Sequence, residues 1–125
     1  MFEVNKRTGD RVDLTIAGKI DAEQMSEALD ALMADAQGMR NGRMLYQIHD
    51  IDWPTLGAVA VELSRLPALL RLIGRFDRIA LVADEEWIRK AGEWEGMLLP
   101  GVVIRGFHAI DDAEAWLAGG SDGTG

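Results

Sequence analysis

The stretch from Phe76 to Ala83, FDRIALVA, followed at once by the acidic run 84–86, decides the fold class of this chain. Its second half is an unbroken apolar run, which is typical of a parallel strand covered by helices on both faces. The acidic residues that follow are typical of the first turn of a helix. The sequence therefore predicts a buried strand over 76–83 that leads into a helix, and this pairing is the building unit of α/β domains.

The N-terminal side of this stretch predicts a hairpin. Val12, Leu14 and Ile16 alternate with polar residues, as in a half-buried strand. Phe2 and Val4 indicate a shorter strand before it, and the turn residues 8–10 (TGD) separate the two. We therefore expect the first two strands to be antiparallel.

The first helix has the clearest signal in the chain. Asp21 and Gln24 have the spacing of a capping box, and Gly38 marks the end of the helix. Between them the apolar residues recur at helical spacing, at Met25, Ala28, Leu29, Leu32, Met33 and Ala36. The pattern predicts an amphipathic helix.

The remaining elements alternate strand and helix along the chain. We predict a third strand over Arg43–Ile51, a second helical stretch over Thr55–Ile73, a third helix capped by Asp84, a fifth strand over Val102–Phe107 and a last helix opened by Asp111. Pro67 should kink or split the second helical stretch near Leu66. The prediction is one α/β domain over 1–118, with a mixed, mostly parallel sheet of about five strands and about four helices, and a disordered tail over 119–125.

Two segments resemble a known family. Residues 78–87 (RIALVADEEW) and 113–117 (AEAWL), together with the layout from about Phe2 to Leu117, are similar to the SpoIIAA-like (STAS/SEC14-domain) family. The resemblance implies a five-stranded mixed sheet, with the first strand antiparallel, and four helices. It also implies distant kinship with anti-sigma-factor antagonists and CRAL-TRIO lipid-carrier domains, and a non-catalytic role in ligand binding and membrane association.

Composition and charge exclude several classes of function. The chain of 125 residues has 21 acidic against 13 basic side chains and a net charge of −8, which disfavours binding to a nucleic acid. It has no cysteine, which excludes thiol ligands and thiol nucleophiles. The first ten residues do not form a signal peptide, and the apolar run Leu66–Ile73 is too short to span a bilayer. We expect a cytoplasmic protein with at most peripheral membrane contact.

The second helical stretch carries the main functional hypothesis. It is apolar on nearly every side, so it must be buried in the core, meet a second copy of the chain, or contact lipid or a ligand. Trp87 and Trp94 are seven residues apart and share one face of the third helix, either as core or as the wall of an apolar pocket. We predict a small apolar or lipid-like ligand, with Leu63, Leu66, Leu70, Ile73, Trp87 and Trp94 as the binding residues.

Histidines and acidic residues follow the third, fourth and fifth strands. His49 lies beside Asp50 and Asp52, His108 precedes Asp111, and the acidic run 84–86 follows the fourth strand. In a parallel sheet these positions share the carboxyl edge, where a metal or an acid–base pair could be held. Helix capping explains the aspartates equally well, and no hydrolase, metalloprotease or phosphate-binding motif is present. We expect no catalytic residues, no metal and no cofactor.

The alternative function is a protein-interaction module of the anti-sigma-antagonist type. In that family a phosphorylatable serine lies at the helix start after the third strand, in a segment that here aligns with residues 52–57 (DWPTLG). Trp53 and Pro54 stand where the serines would be, and Thr55 is better explained as an N-cap. We therefore expect the phosphorylation switch to be absent.

Overall fold

The computed structural model describes residues 1–51, 57, 60–61, 64–99 and 101–119. The strands are β1 (Phe2–Arg7), β2 (Arg11–Gly18), β3 (Gly42–Ile51), β4 (Phe76–Ala83) and β5 (Val103–Phe107). The helices named here are α1 (Ala22–Asp35), α2 (Leu66–Ile73), α3 (Glu86–Met97) and α4 (Ile110–Leu117). Residues 57, 60–61 and 64 are also helical, whereas the predicted disordered tail lies, apart from Gly119, outside the described residues.

The five strands form one sheet in the order β1-β2-β3-β4-β5. β1 pairs with β2 antiparallel, and each of the other neighbours is parallel, so the predicted mixed sheet is confirmed. Gly9 and Asp10 take positive φ angles of 75° and 55° in the β1–β2 turn. Such angles suit a tight hairpin connection, which explains the turn residues in the sequence.

Each face of β4 packs against different helices. Ile79 belongs to the core beneath α1 and α2, together with Val12, Met44 and Leu72. Ala80 and Val82 point to the opposite face, where α4 packs through Ala113, Trp116 and Leu117. The apolar run of β4 is therefore covered on both sides, as its sequence predicts.

The predicted cap of α1 and the predicted break before α2 are both present. The carboxylate of Asp21 accepts a hydrogen bond from the backbone N–H of Gln24 at 2.8 Å, and the Gln24 side chain completes the capping box. Arg65 leaves the helical conformation, and Pro67 lies in the first turn of α2. Proline is tolerated there because the first turn of a helix needs no N–H donor.

Helix α3 lies on the sheet through glycines rather than through its tryptophans. A Cβ atom on Gly92 would lie 2.4 Å from the Leu81 side chain, and one on Gly96 would lie 2.8 Å from Cβ of Ile104. Trp87 and Trp94 are 59% and 64% exposed, so their interpretation as core residues is wrong. The small glycine face lets the helix approach the sheet closely, and this turns the tryptophans outward.

Two predicted helix caps are also corrected. α3 begins at Glu86, so Glu85 rather than Asp84 directly precedes it. The N-cap of α4 is Ala109, which makes no side-chain capping hydrogen bond, and Asp111 lies inside the first turn of the helix. There its negative charge still interacts favourably with the positive end of the helix dipole. This explains the acidic residue although it does not cap the helix.

Arginines on the strands hold α4 in place. Arg78 donates to the backbone oxygen of Trp116 at 2.5 Å and lies 4.9 Å above its ring, and Arg43 donates to the backbone oxygen of Leu117. Arg11 pairs with Glu114 at 2.5 Å. Burial alone would lower the pKa of Arg11, but the Asp13 and Glu114 carboxylates outweigh burial and raise it.

Candidate functional site

A large apolar cavity lies between one face of the sheet and helices α1, α2 and α3. Its volume is about 1090 Å³. The apolar lining comes from strands β2 to β5 (Leu14, Ile16, Met44, Ile48, Ile79, Leu81, Ile104), from α1 (Met25, Ala28, Leu29, Leu32), from α2 (Leu69, Leu70, Leu72, Ile73), and from α3 and the residues after it (Trp87, Ile88, Ala91, Gly92, Leu98, Leu99). A space of this size and lining suits an apolar molecule.

Polar groups reach this cavity at few places. Among the described lining residues these are the phenol of Tyr46 and the carboxylates of Asp50, Asp84 and Glu85. The three carboxylates are exposed, so they lie at the rim rather than in the interior. The described lining contains no serine, threonine, histidine, lysine or arginine.

Three of the predicted binding residues line this cavity. Leu70 and Ile73 line it from α2, and Trp87 lines it from α3. Trp94 is not among the lining residues, because its side chain points outward from α3. Leu63 and the side chain of Leu66 lie outside the described part of the chain.

The cavity walls formed by α1 and the strands could not be recognised from the sequence. Met25 and Leu29 fit the pattern of an ordinary core helix, and Tyr46 and Leu81 fit the pattern of core strands. Apolar periodicity shows which side of an element faces inward. It does not distinguish a side chain that meets another side chain from one that meets a cavity.

Asp50 occupies an unusual backbone position at the end of β3. His49 pairs with Ala17 and Ile51 pairs with Gly18, so Asp50 is the extra residue of a β-bulge. Its φ angle is 45°, in the left-handed region that aspartate tolerates better than most residues. Bulges of this kind commonly re-aim a side chain beside a functional site.

The two histidines meet at a second, smaller pocket on the α4 side of the sheet. It measures about 460 Å³, and His49, Asp84, His108 and Asp111 are among its lining residues. Nε2 of His108 lies 3.7 Å from Oδ1 of Asp84, and Nε2 of His49 lies 3.0 Å from Oε1 of Gln47. The carboxyl edge thus gathers these side chains as the sequence predicts.

Within the described residues, the side chains of this smaller pocket do not cluster as metal ligands. Within the described part of the chain, no group of three or more metal-ligating side chains is placed to hold an ion. The His108–Asp84 pair is more than 70% exposed on both sides, and such a pair contributes little. Asp50 belongs to the large cavity, and Asp52 lies outside the described residues.

Comparison with protein families identifies the domain. The model of the SpoIIAA-like family matches residues 11–118. The chain belongs to the SpoIIAA-like family. The matched range runs from the start of β2 to the residue after α4, so it includes both the cavity and the histidine pocket.

Solved structures agree on the fold of this SpoIIAA-like domain. An uncharacterised protein of the DUF3478 family from Shewanella loihica PV-4, with a SpoIIAA-like fold, gives a TM-score of 0.73 at 21% identity over 94% of this chain and 92% of that chain. The anti-sigma factor antagonist SpoIIAA in its unphosphorylated form gives a TM-score of 0.58 at 15% sequence identity. The match covers 97% of this chain and 100% of that chain. No curated protein sequence matches this chain significantly.

Apart from Gly57, the segment that would carry a phosphorylation switch lies outside the described residues, Thr55 included. The absence of the phosphorylation switch therefore stays a prediction from the sequence. Two arginines in the middle of the chain bind groups of the domain itself: Arg65 pairs with Asp30 of α1, and Arg89 donates to the backbone oxygens of Ala83 and Asp84. In the described part of this SpoIIAA-like domain, none of the helices has the length and apolar character needed to cross a bilayer.

Proposed function

We propose that this SpoIIAA-like domain is a non-catalytic carrier or sensor that binds a small apolar or lipid-like molecule in the large cavity. The observation that carries the proposal is the cavity itself, with its volume of about 1090 Å³ and its almost wholly apolar walls. Sites for small molecules usually span about 300–1,000 Å³ and are lined mainly by apolar side chains. Protein interiors are otherwise close-packed, so a bound apolar molecule would restore contacts that the walls lack.

The carrier interpretation includes transient contact with a membrane surface. Trp87 and Leu98 line the cavity and are also 59% and 65% exposed, so they stand at its entrance. Trp94 and Met97, 64% and 82% exposed, continue the apolar surface along α3. Tryptophan favours the interface between water and lipid, and an entrance placed there would let a lipid-like ligand pass without crossing water.

The alternative is a protein-interaction module without a phosphorylation switch. The structural likeness to the anti-sigma factor antagonist SpoIIAA favours it, and the exposed residues of α3 would then contact a protein partner or a second copy of the chain. Exposed apolar patches serve either purpose. The two functions differ in whether an apolar small molecule alone stabilises the domain.

The direct test is binding of 1-decanol to the purified protein. We expect the melting temperature to rise with decanol concentration, because a ligand of the native state stabilises that state. Native mass spectrometry should show one intact, unmodified decanol per chain. Leu70→Asp places a charge on the cavity wall at a side chain that is already 47% exposed, and we expect it to weaken binding by about tenfold or more, or about 1.4 kcal/mol.

Met97→Asp is the matched control. Met97 is an exposed apolar residue at the end of α3, but it does not line the cavity. The Met97→Asp variant should bind decanol with the affinity of the unaltered protein. If decanol leaves the melting temperature of the unaltered protein where it was, or if both variants lose affinity equally, the cavity is not a binding site.

Membrane contact has its own test, by co-sedimentation with phosphatidylcholine vesicles. We expect weak, reversible association of the unaltered protein that Trp94→Asp and Met97→Asp each reduce several-fold, because both remove apolar surface beside the entrance. Leu14→Ala, which alters the cavity wall away from this surface, should not reduce it. The proposed membrane contact would be contradicted if the unaltered protein and all three variants sediment equally with the vesicles, or if none of them sediments.

A further inference from the structure

The charged residues of the large cavity all have the same sign. Asp50, Asp84 and Glu85 are acidic, and the described lining contains no lysine, arginine or histidine to balance them. The residues outside the described part of the chain include no lysine, arginine or histidine either. These residues are 52–56, 58–59, 62–63, 100 and 120–125. The described lining of the cavity therefore supplies no cationic side chain for an anionic ligand.

The three carboxylates lie together at one end of the cavity. Asp50 is near the end of β3, Asp84 directly follows β4, and Glu85 directly precedes α3. Because β3 and β4 are parallel neighbours, their ends share the carboxyl edge of the sheet. Met44 and Ile79, which are paired further back along the same two strands, line the apolar part. The cavity is thus apolar along its length and anionic at its rim.

Few positive charges of the chain approach this rim. His108 lies 3.7 Å from Asp84, and Arg89 binds the backbone oxygens of Ala83 and Asp84. Within the described residues, no ion pair involves Asp50 or Glu85. Two of the three carboxylates therefore remain available for a positive group brought by a ligand.

We propose that the ligand is a cationic amphiphile, an apolar chain or ring system that bears a protonated amine. This inference rests on the proposed function, since the apolar part would occupy the same cavity. The ammonium group would lie among Asp50, Asp84 and Glu85, where opposite charges attract and where it can donate several hydrogen bonds. A carboxylate or phosphate at the same end would meet like charge, and none of the described lining residues carries a positive charge, so fatty acids and anionic lipids are disfavoured.

The test compares three ligands that share a ten-carbon chain and differ only in the polar group. Decylamine, 1-decanol and decanoate are titrated by calorimetry at neutral pH, moderate salt and concentrations below micelle formation. We expect decylamine to bind at least about tenfold more tightly than 1-decanol, which corresponds to a few partly exposed charge interactions acting together. Decanoate should bind more weakly than the alcohol.

A triple variant assigns the preference to the rim. Asp50→Asn, Asp84→Asn and Glu85→Gln together remove the charges while keeping the side-chain shapes, and asparagine also tolerates the left-handed backbone at residue 50. Decylamine should then bind no more tightly than decanol. The matched control is Glu27→Gln with Asp77→Asn and Asp112→Asn, three exposed carboxylates that do not line the cavity. It changes the net charge equally and should keep the preference.

The outcomes separate this inference from the proposed function. If decanol binds and decylamine binds no better, or if decanoate binds best, the cavity holds an apolar ligand but the cationic head group is wrong. The same conclusion follows if the control variant loses the preference as fully as the rim variant, because the attraction then belongs to the whole acidic protein. If none of the three ligands binds, the proposed function itself fails and this inference fails with it.

Discussion

Trp116→Ala is expected to lower the free energy of unfolding by about 3–5 kcal/mol, whereas Trp87→Ala should lower it by less than about 1 kcal/mol. Trp116 is 3% exposed, its ring centroid lies 5.6 Å from that of Phe107, and the guanidinium of Arg78 lies 4.9 Å from it. Trp87 is 59% exposed, so much less of its apolar surface is buried than that of Trp116. Urea unfolding of both variants measures the difference directly.

Trp116→Phe refines this comparison. Nε1 of Trp116 is buried and has no hydrogen-bond partner among the described residues. Phenylalanine keeps most of the aromatic packing and removes that unpaired donor, so we expect a loss in the free energy of unfolding well below that of the alanine variant.

Equal losses for Trp87→Ala and Trp116→Ala would mean that α3 packs on the sheet through its tryptophans, and the outward face described for α3 would then be wrong.

The sequence was most informative where one physical requirement governs a segment. The apolar run of β4 needs cover on both faces, and the predicted strand Phe76–Ala83 agrees with the observed one at both ends. The capping box of Asp21 and Gln24 is local chemistry, and it too was predictable. The antiparallel first pair followed from turn residues that take positive φ angles. In each case the deciding pattern lies within one short stretch of the sequence.

The orientation of α3 could not be predicted in the same way. Apolar periodicity assigned Trp87 and Trp94 to the inner face, because a glycine contributes nothing to a hydrophobic pattern. Gly92 and Gly96 nevertheless face the sheet, since the space beside them is filled by Leu81 and Ile104. Close packing against a neighbouring strand depends on long-range contacts, which a single element does not reveal.

The candidate site was predicted in part for a related reason. The sequence identified Leu70, Ile73 and Trp87 because helix α2 is unusually apolar and α3 carries tryptophans. It missed the acidic rim, since Asp84 and Glu85 also fit the start of a helix, and only the fold brings Asp50 beside them. A cavity is defined by what several elements leave unfilled. Its position therefore depends on how the elements are assembled.

Gly96→Ala is expected to lower the free energy of unfolding by about 1–3 kcal/mol, although alanine is the better helix former. The added Cβ would lie 2.8 Å from Cβ and 3.1 Å from the backbone nitrogen of Ile104, and neither atom can move without moving β5. Gly92→Ala is the matched control in the same helix. Its Cβ would meet Cδ2 of Leu81, the far end of a flexible side chain, which can rotate toward the cavity that it already lines.

The two alanine variants should therefore differ by at least about 1 kcal/mol, with Gly92→Ala close to neutral because the gain in helix propensity offsets the small adjustment of Leu81. Chemical denaturation gives both values under one set of conditions. If Gly96→Ala is as stable as Gly92→Ala or more stable, α3 does not approach β5 as closely as described. The same helix forms one wall of the cavity, so that result would also require a different shape for the binding site.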